Sequence, residues 1–256
     1  MVSSREALGL GLLTDSDARV GESVQDDRTS KTVEDYLLNI YTISQEGRTV
    51  IAARLAEALD VAPPTVTATL HRMTRDGLIT VTPQKEVLLT EDGHARAETM
   101  VRRHRLAERL LIDILGLDWA DVHEEAHRFE HAISPKVEER ILAVLGNPTT
   151  CPHGSPIPGS SPSTSADATR LQEATTGDHI TVVRISEEAE SDHELLGYFQ
   201  RSGLVPGQEF DVAEVEPYND LLVLRRRNES IPVSFPVARK VWVQRRDADH
   251  LTAAAS

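Results

Sequence analysis

"APPTVTATLHRMTRDGLITVTPQKEVLLT", Ala62 to Thr90, changes its periodicity halfway along. From Pro63, apolar Val66, Leu70 and Met73 recur at three- and four-residue intervals, which predicts a helix with proline in its first turn and Gly77 as its stop. Beyond Gly77 the alternation around Pro83-Gln84-Lys85 predicts two short strands and a turn. Upstream, "VEDYLLNIYTI" sets Tyr36, Leu37, Ile40 and Tyr41 on one helical face, and "VIAARLAEALD" forms a shorter helix. Helix, helix, turn, helix, β-wing is the order of a winged helix-turn-helix, which docks its third helix in a DNA major groove.

The DNA-facing candidates are Thr32, Pro64, Thr65, Thr67, Arg72, Arg75 and Lys85, with Thr69 offering a further hydroxyl. Hydroxyls and methyls suit phosphates and thymine edges, and the cations suit the backbone. Arg72, Arg75 and Lys85 are cancelled between Asp60 and Thr90 by Asp60, Asp76 and Glu86. The whole chain of 256 residues carries 41 acidic and 27 basic residues, a net charge of −14. Such a chain is a poor constitutive DNA binder, because affinity comes mostly from neutralised phosphates, and added divalent cations would help it. Winged helices also serve as protein-interaction modules, the alternative reading of this block.

Residues 91–147 read as helical: "EDGHARAETMVRRHRLAERLLIDILGL", "ADVHEEAHRFEHAIS" and "PKVEERILAVLG". Residues 148–169, rich in Pro, Ser and Thr, read as a linker. Residues 170–246 turn to strands, "HITVVRI", "EFDVAEVE", "LLVLRRR" and "IPVSFPVARKVWV", with one short helix, "HELLGYFQRSG"; a small, partly open β-barrel accounts for them. The expected fold is mainly α with a small β domain: a winged helix over 31–90, a helical domain over 91–147 and the barrel over 170–246. Residues 1–30 read as a flexible tail without a signal peptide. One cysteine fits a reducing cytoplasm, and no apolar run approaches the roughly 18–20 residues of a membrane span.

"VHEEAHRFEH", Val122 to His131, holds three histidines and three glutamates. On a helix His127, Glu130 and His131 share a face; His123, one turn earlier, serves the same point or a neighbouring one. His104 and Glu108 repeat the spacing on the preceding helix. Two such helices face to face would hold two cations on mixed nitrogen and oxygen donors, suiting Mn²⁺, Fe²⁺ or Zn²⁺. Read from His123 the segment also matches the H-E-x-x-H of zinc peptidases, with Glu124 as general base, but a winged helix and a barrel add nothing to a peptidase. A solvated polar face is the plain alternative. His94, beside Gly93, and Cys151 with His153 in "CPHG" are read as ordinary helix-start and loop residues.

"RRHRLAERLLIDILGLDWADVHEEAHRFEHAIS", Arg102 to Ser134, with "PIPG" at 156–159, resembles the diphtheria-toxin-repressor family of metal-dependent transcriptional regulators in its three-domain form. The resemblance runs from about Lys31 to Val243. It implies a homodimer on a palindromic double-stranded operator, a helical dimerisation and metal-binding domain, an SH3-like (FeoA-like) third domain, and no membrane or small organic substrate. It also implies a regulatory site on Asp35, His127, Glu130 and His131, with the His127 carbonyl. The ancillary site falls on His104, Glu108 and His123, completed by Glu187 and Glu190 from the third domain.

The departures bear on the metal. Iron-type members carry methionine where Asp35 stands and cysteine where His127 stands; manganese-type members carry aspartate at the first and usually a carboxylate at the second. Oxygen and imidazole favour Mn²⁺, with Fe²⁺ kept open. Leu38 replaces a glutamate of the two-domain manganese regulators, which favours two separate sites per subunit over a bridged pair. Ala68 replaces a glutamine that approaches bases, pointing to a different operator. The expected function is a Mn²⁺-activated repressor of metal-uptake genes rather than an enzyme; a zinc peptidase or a passive metal-binding protein are the alternatives.

Overall fold

Tyr36, Leu37, Ile40 and Tyr41 line the buried face of α1 (Lys31–Gln45), the first element of a computed structural model that describes residues 30–160 and 167–246. The expected tail, save Ser30, and residues 161–166 of the expected linker lie outside the described residues. α2 (Ala52–Ala58) and α3 (Pro63–Arg75) follow, and Val66, Leu70 and Met73 turn inward against Leu37, Leu55 and Ile79. Gly77, at φ +73°, lets the chain leave α3 for the antiparallel strands β1 (Ile79–Val81) and β2 (Val87–Leu89). Thr69 is only 7% exposed and packs inward, so it does not belong to the outward face that carries Pro64, Thr65, Thr67 and Arg75.

α4 (Glu91–Asp113) begins directly on the wing. The Thr90 hydroxyl accepts from the Gly93 amide at 3.1 Å, capping the helix. A Cβ on Gly93 would sit 1.9 Å from the Leu78 carbonyl oxygen, so only glycine permits this approach. α4 spans two cores: Ala97, Met100 and Val101 pack with the winged helix, and Leu106, Ala107 and Leu111 pack with α5 (Val122–Phe129) and α6 (Pro135–Val144). The helix read over "ADVHEEAHRFEHAIS" tightens to a 3₁₀ turn at Glu130–Ala132. Ser134 must leave the helical region because Pro135 follows it, and its hydroxyl caps α6 through the Val137 amide.

The β domain contains β3 (Thr169–Arg170), β4 (His179–Ile185), α7 (Glu187–Glu190), α8 (His193–Ser202), β5 (Glu209–Glu216), β6 (Leu221–Arg226), β7 (Glu229–Ser234), α9 (Phe235–Ala238) and β8 (Val241–Arg245). Its antiparallel sheet runs β3-β8-β4-β5-β6-β7, with alternate residues such as Ile180, Val182, Leu222, Leu224, Val241 and Val243 buried. Register shifts after Val182 and Val212 bend the sheet. The strand read over 231–243 is two strands, since Pro236 cannot donate to a ladder and instead opens the one-turn α9.

Glu46, just past α1, ties this domain to the winged helix. It accepts from Arg170, from Arg184 at 2.5 Å and from the Trp242 indole at 3.3 Å. The two guanidiniums lie over the Trp242 ring, 3.9 and 4.3 Å from its centroid. Arg48 pairs with Glu188 beside it. α1 is therefore held at its C-terminal end by the β domain, while its N-terminal half reaches the histidine-rich segment. No helix among the described residues is long and apolar enough to cross a membrane.

Candidate metal centres

Asp35 on α1 meets His127, Glu130 and His131 from α5 and its 3₁₀ extension, with one donor atom of each within 4.8 Å of the others. His131 Nε2 lies 3.0 Å from Asp35 Oδ1 and 3.5 Å from Glu130 Oε1; His127 turns Nε2 to Asp35 Oδ1 at 3.7 Å and its other nitrogen, Nδ1, to Glu130 Oε1 at 3.2 Å. Yet Asp35 Oδ1, Glu130 Oε1 and His131 Nε2 are buried without hydrogen-bond partners. Buried polar atoms left unpaired are costly. Converging on one point at these separations, they match donors set at about 2.0–2.2 Å around a divalent ion. The set fits a cation.

Glu34, which carries no metal-ligand spacing in the sequence, completes the arrangement. Its carboxylate accepts from His131 Nδ1 at 2.7 Å, which leaves Nε2 with its lone pair toward Asp35. Burial raises the Asp35 pKa, although His127 and His131 oppose it. Burial also pushes Glu130 up, but the hydrogen bond from His104 and the adjacent His127 imidazole hold it at about 2.

A second cluster gathers His104, Glu108, His123 and Glu190. His104 Nε2 faces Glu108 at 3.3 Å, and His123 Nδ1 stands 3.3 Å from Glu108 and 3.4 Å from Glu190. Glu190 is delivered from α7, as the resemblance implied, but Glu187 is not in this group: it takes Arg105 at 2.5 Å. Cys151 and His153 share in it instead. "CPHG" is a tight turn closed by the Cys151 amide on the Ser155 carbonyl, and it buries His153 3.3 Å from Glu108. Glu108, Cys151 and His153 also converge within 4.8 Å. His94 stays apart, exposed and edge-on to Tyr41.

The two clusters share Glu130. Its Oε1 faces His127 and His131, while its Oε2 accepts from His104 Nδ1 at 2.5 Å, turning His104 Nε2 toward Glu108. His123 and His127 are thereby divided between clusters. The H-E-x-x-H pair does not converge, and Glu124 pairs at 3.5 Å with Arg128 on the exposed side.

Without a bound cation, protons would hold the second cluster together. Burial pushes His104, His123 and His153 down, but their carboxylate partners prevail; His123 rises to about 9. Cation binding requires those lone pairs, so loading should release protons and weaken as pH falls from about 9. The affinity should drop by up to tenfold per pH unit for each proton displaced, read by calorimetry in buffers of different ionisation enthalpy; loading without proton release would contradict it. The stability sign is opposite without metal. His123, raised on folding, contributes fully below the unfolded value of about 6.5 and loses that contribution as pH climbs through about 9; His104 and His153 shift in the same direction.

Residues 28–87 match the family model "Iron dependent repressor, N-terminal DNA binding domain", 90–159 "Iron dependent repressor, metal binding and dimerisation domain", and 169–245 the FeoA domain. The chain is 40% identical over 224 residues to the iron-dependent repressor IdeR of Mycobacterium tuberculosis strain H37Rv, covering 84% of this chain and 97% of that one. It is 48% identical over 128 residues to the diphtheria toxin repressor of Corynebacterium diphtheriae, covering 50% and 57%. A manganese-dependent transcriptional repressor in complex with manganese superposes with a TM-score of 0.77 at 32% identity, over 84% of this chain and 100% of that one. The manganese regulator SloR gives 0.71 at 27% identity, over 84% and 98%. With both carboxylate–histidine clusters behind a winged helix and an SH3-like sheet, the chain belongs to the diphtheria-toxin-repressor family of metal-dependent transcriptional repressors.

Proposed function

We propose that this chain is a cytoplasmic, homodimeric repressor of metal-uptake genes, activated by Mn²⁺ with Fe²⁺ as the second candidate, and that it catalyses no reaction. One observation carries the reading: Asp35 on α1 and Glu130 and His131 far along the chain bring buried, unpaired donors to one point, with His127 beside them. We assign these four to the regulatory site. His104, Glu108, His123 and Glu190 form the ancillary one, Glu187 anchors Arg105, and Cys151 and His153 adjoin.

A bound dication supplies positive charge that lets these carboxylates sit together. Asp35 then fixes α1 to the helical domain, and through α1 fixes the pose of α3. Ile114 and Leu115, just past the end of α4, and Val137 and Val144 on α6, all exposed, supply apolar surface for the dimer contact. Two α3 helices at fixed separation match two half-sites of a palindrome, with Thr32, Pro64, Thr65, Thr67, Arg72, Arg75 and the wing-tip Lys85 toward DNA. The two carboxylates of the regulatory set and the lack of sulfur favour Mn²⁺, while its two imidazoles keep Fe²⁺ as the second candidate. We divide the chain at 31–90, 91–147 and 170–246, with 148–169 between the second and third parts.

Titrating a palindromic promoter fragment with the protein under Mn²⁺, Fe²⁺, Zn²⁺ and chelator tests this. Binding should tighten about 100-fold with Mn²⁺, toward the upper end of the 1–3 kcal/mol range of allosteric coupling. Equal affinity under chelator would refute the regulator and leave a passive metal-binding protein. Zinc- and Glu124-dependent peptide hydrolysis would instead select the peptidase.

A further inference from the structure

The second cluster is closed over most of its surface: His104 is 2% exposed, and Glu108 and His153 are fully buried. His123 and Glu190, however, line a cavity of about 560 Å³ between the loop preceding α5 and the start of α8. Its wall carries Asp118, Asp121, Glu124 and His193 and includes no lysine or arginine. Asp121 and His193 pair at 3.0 Å near the mouth, with side chains 58% and 65% exposed. Asp118 is occupied by the Ala120 amide and Gln200, and Glu124 by Arg128 from the next turn. At the floor Glu190, 3% exposed, has Oε1 without a hydrogen-bond partner.

We propose that this cavity is a capture site and access route for a hydrated divalent cation on its way to the buried cluster. Asp121 and His193 form the outer station, and Glu190 with His123 the inner one. The inference rests on the metal-regulated reading above and adds a kinetic role for residues outside both donor sets. At about 30 Å³ per water, the cavity accommodates an ion with its hydration shell. A concave wall lined by carboxylates focuses the field on the ion and raises its arrival rate by about 10- to 1,000-fold, an effect that salt screens. The regulatory set does not need such a route, because His127 is 41% exposed there.

The test uses the full-length chain carrying Asp35→Ala, so that loading at the buried cluster dominates the signal. Stopped-flow transfer of Mn²⁺ from a fluorescent chelator gives the association rate, and a chelator chase gives the dissociation rate. Adding Asp121→Asn and His193→Gln should slow both about tenfold at low ionic strength, with the difference fading at high salt and the equilibrium occupancy unchanged. Both side chains are exposed, so the fold should tolerate the exchange. Unchanged rates, or slower association with unaltered dissociation, would overturn the proposal; the latter would make Asp121 or His193 part of the bound state itself. If the unsubstituted chain takes up no Mn²⁺, the regulator reading falls and this inference falls with it, a different result from rates that are merely equal.

Discussion

Asp35→Ala should abolish Mn²⁺-induced operator binding and leave the fold intact. Asp35 is the only member of its cluster that comes from α1. Without it, His127, Glu130 and His131 still offer donors, but all three lie within one short segment and no ion there ties α1 to the helical domain. Loss of an outer partner already costs 10- to 100-fold in metal affinity, so loss of a ligand should cost at least about 100-fold. The ion-free protein should not suffer. Burial raises the Asp35 pKa, so folding opposes its charge at neutral pH, and deleting that charge leaves stability equal or slightly higher. The stabilisation that Mn²⁺ gives the native chain, about 2.7 kcal/mol at a hundredfold excess over Kd, should shrink in the variant. Mobility-shift titration and thermal melting with and without Mn²⁺ read both effects. Undiminished Mn²⁺-dependent operator binding would sink the clasp between α1 and the histidine-rich segment.

The sequence exposes what rests on local spacing. Val66, Leu70 and Met73 disclose α3, and His127, Glu130 and His131 disclose three of the four members of the regulatory cluster, because both follow helical periodicity. Asp35 came into view only through resemblance, since no local period links it to His127. Glu34 was missed for the same reason: its partner His131 lies 97 residues away. His153 sits in a segment whose Pro and Ser content reads as linker, yet the turn closed by Cys151 and Ser155 buries it. Glu187 and Glu190 are indistinguishable as letters; Arg105 captures the first and leaves the second for the cluster. Thr69 lies among exposed threonines but falls on the inward stripe with Val66 and Met73.

Glu130→Gln should disturb both clusters at once. Glu130 is fully buried, with one oxygen toward His127 and His131 and the other bonded to His104. An amide keeps one acceptor and replaces the other with a donor. If the oxygen stays with His104, an NH₂ group faces the regulatory donors; if it flips, His104 loses the acceptor that orients it. Unlike Asp35→Ala, this change should also weaken the ion-free protein. Removing one partner of a buried ion pair costs about 3–5 kcal/mol, and the retained hydrogen bond places this isosteric change toward the lower end. For a chain of this size that lowers the melting midpoint by roughly 6–12 °C. The carboxylate is held at about 2, so its contribution is present above about pH 4.5 and is lost as pH falls toward 2. The melting difference between native and variant chains should therefore narrow in acid. Mn²⁺ affinity at the His104–His123 cluster, measured in the Asp35→Ala background, should fall by about 10- to 100-fold, the range for removal of a carboxylate behind a ligating histidine. If that cluster fills at the native concentration in Glu130→Gln, the two sites are independent, and the bond from His104 to Glu130 is structural rather than a link between them.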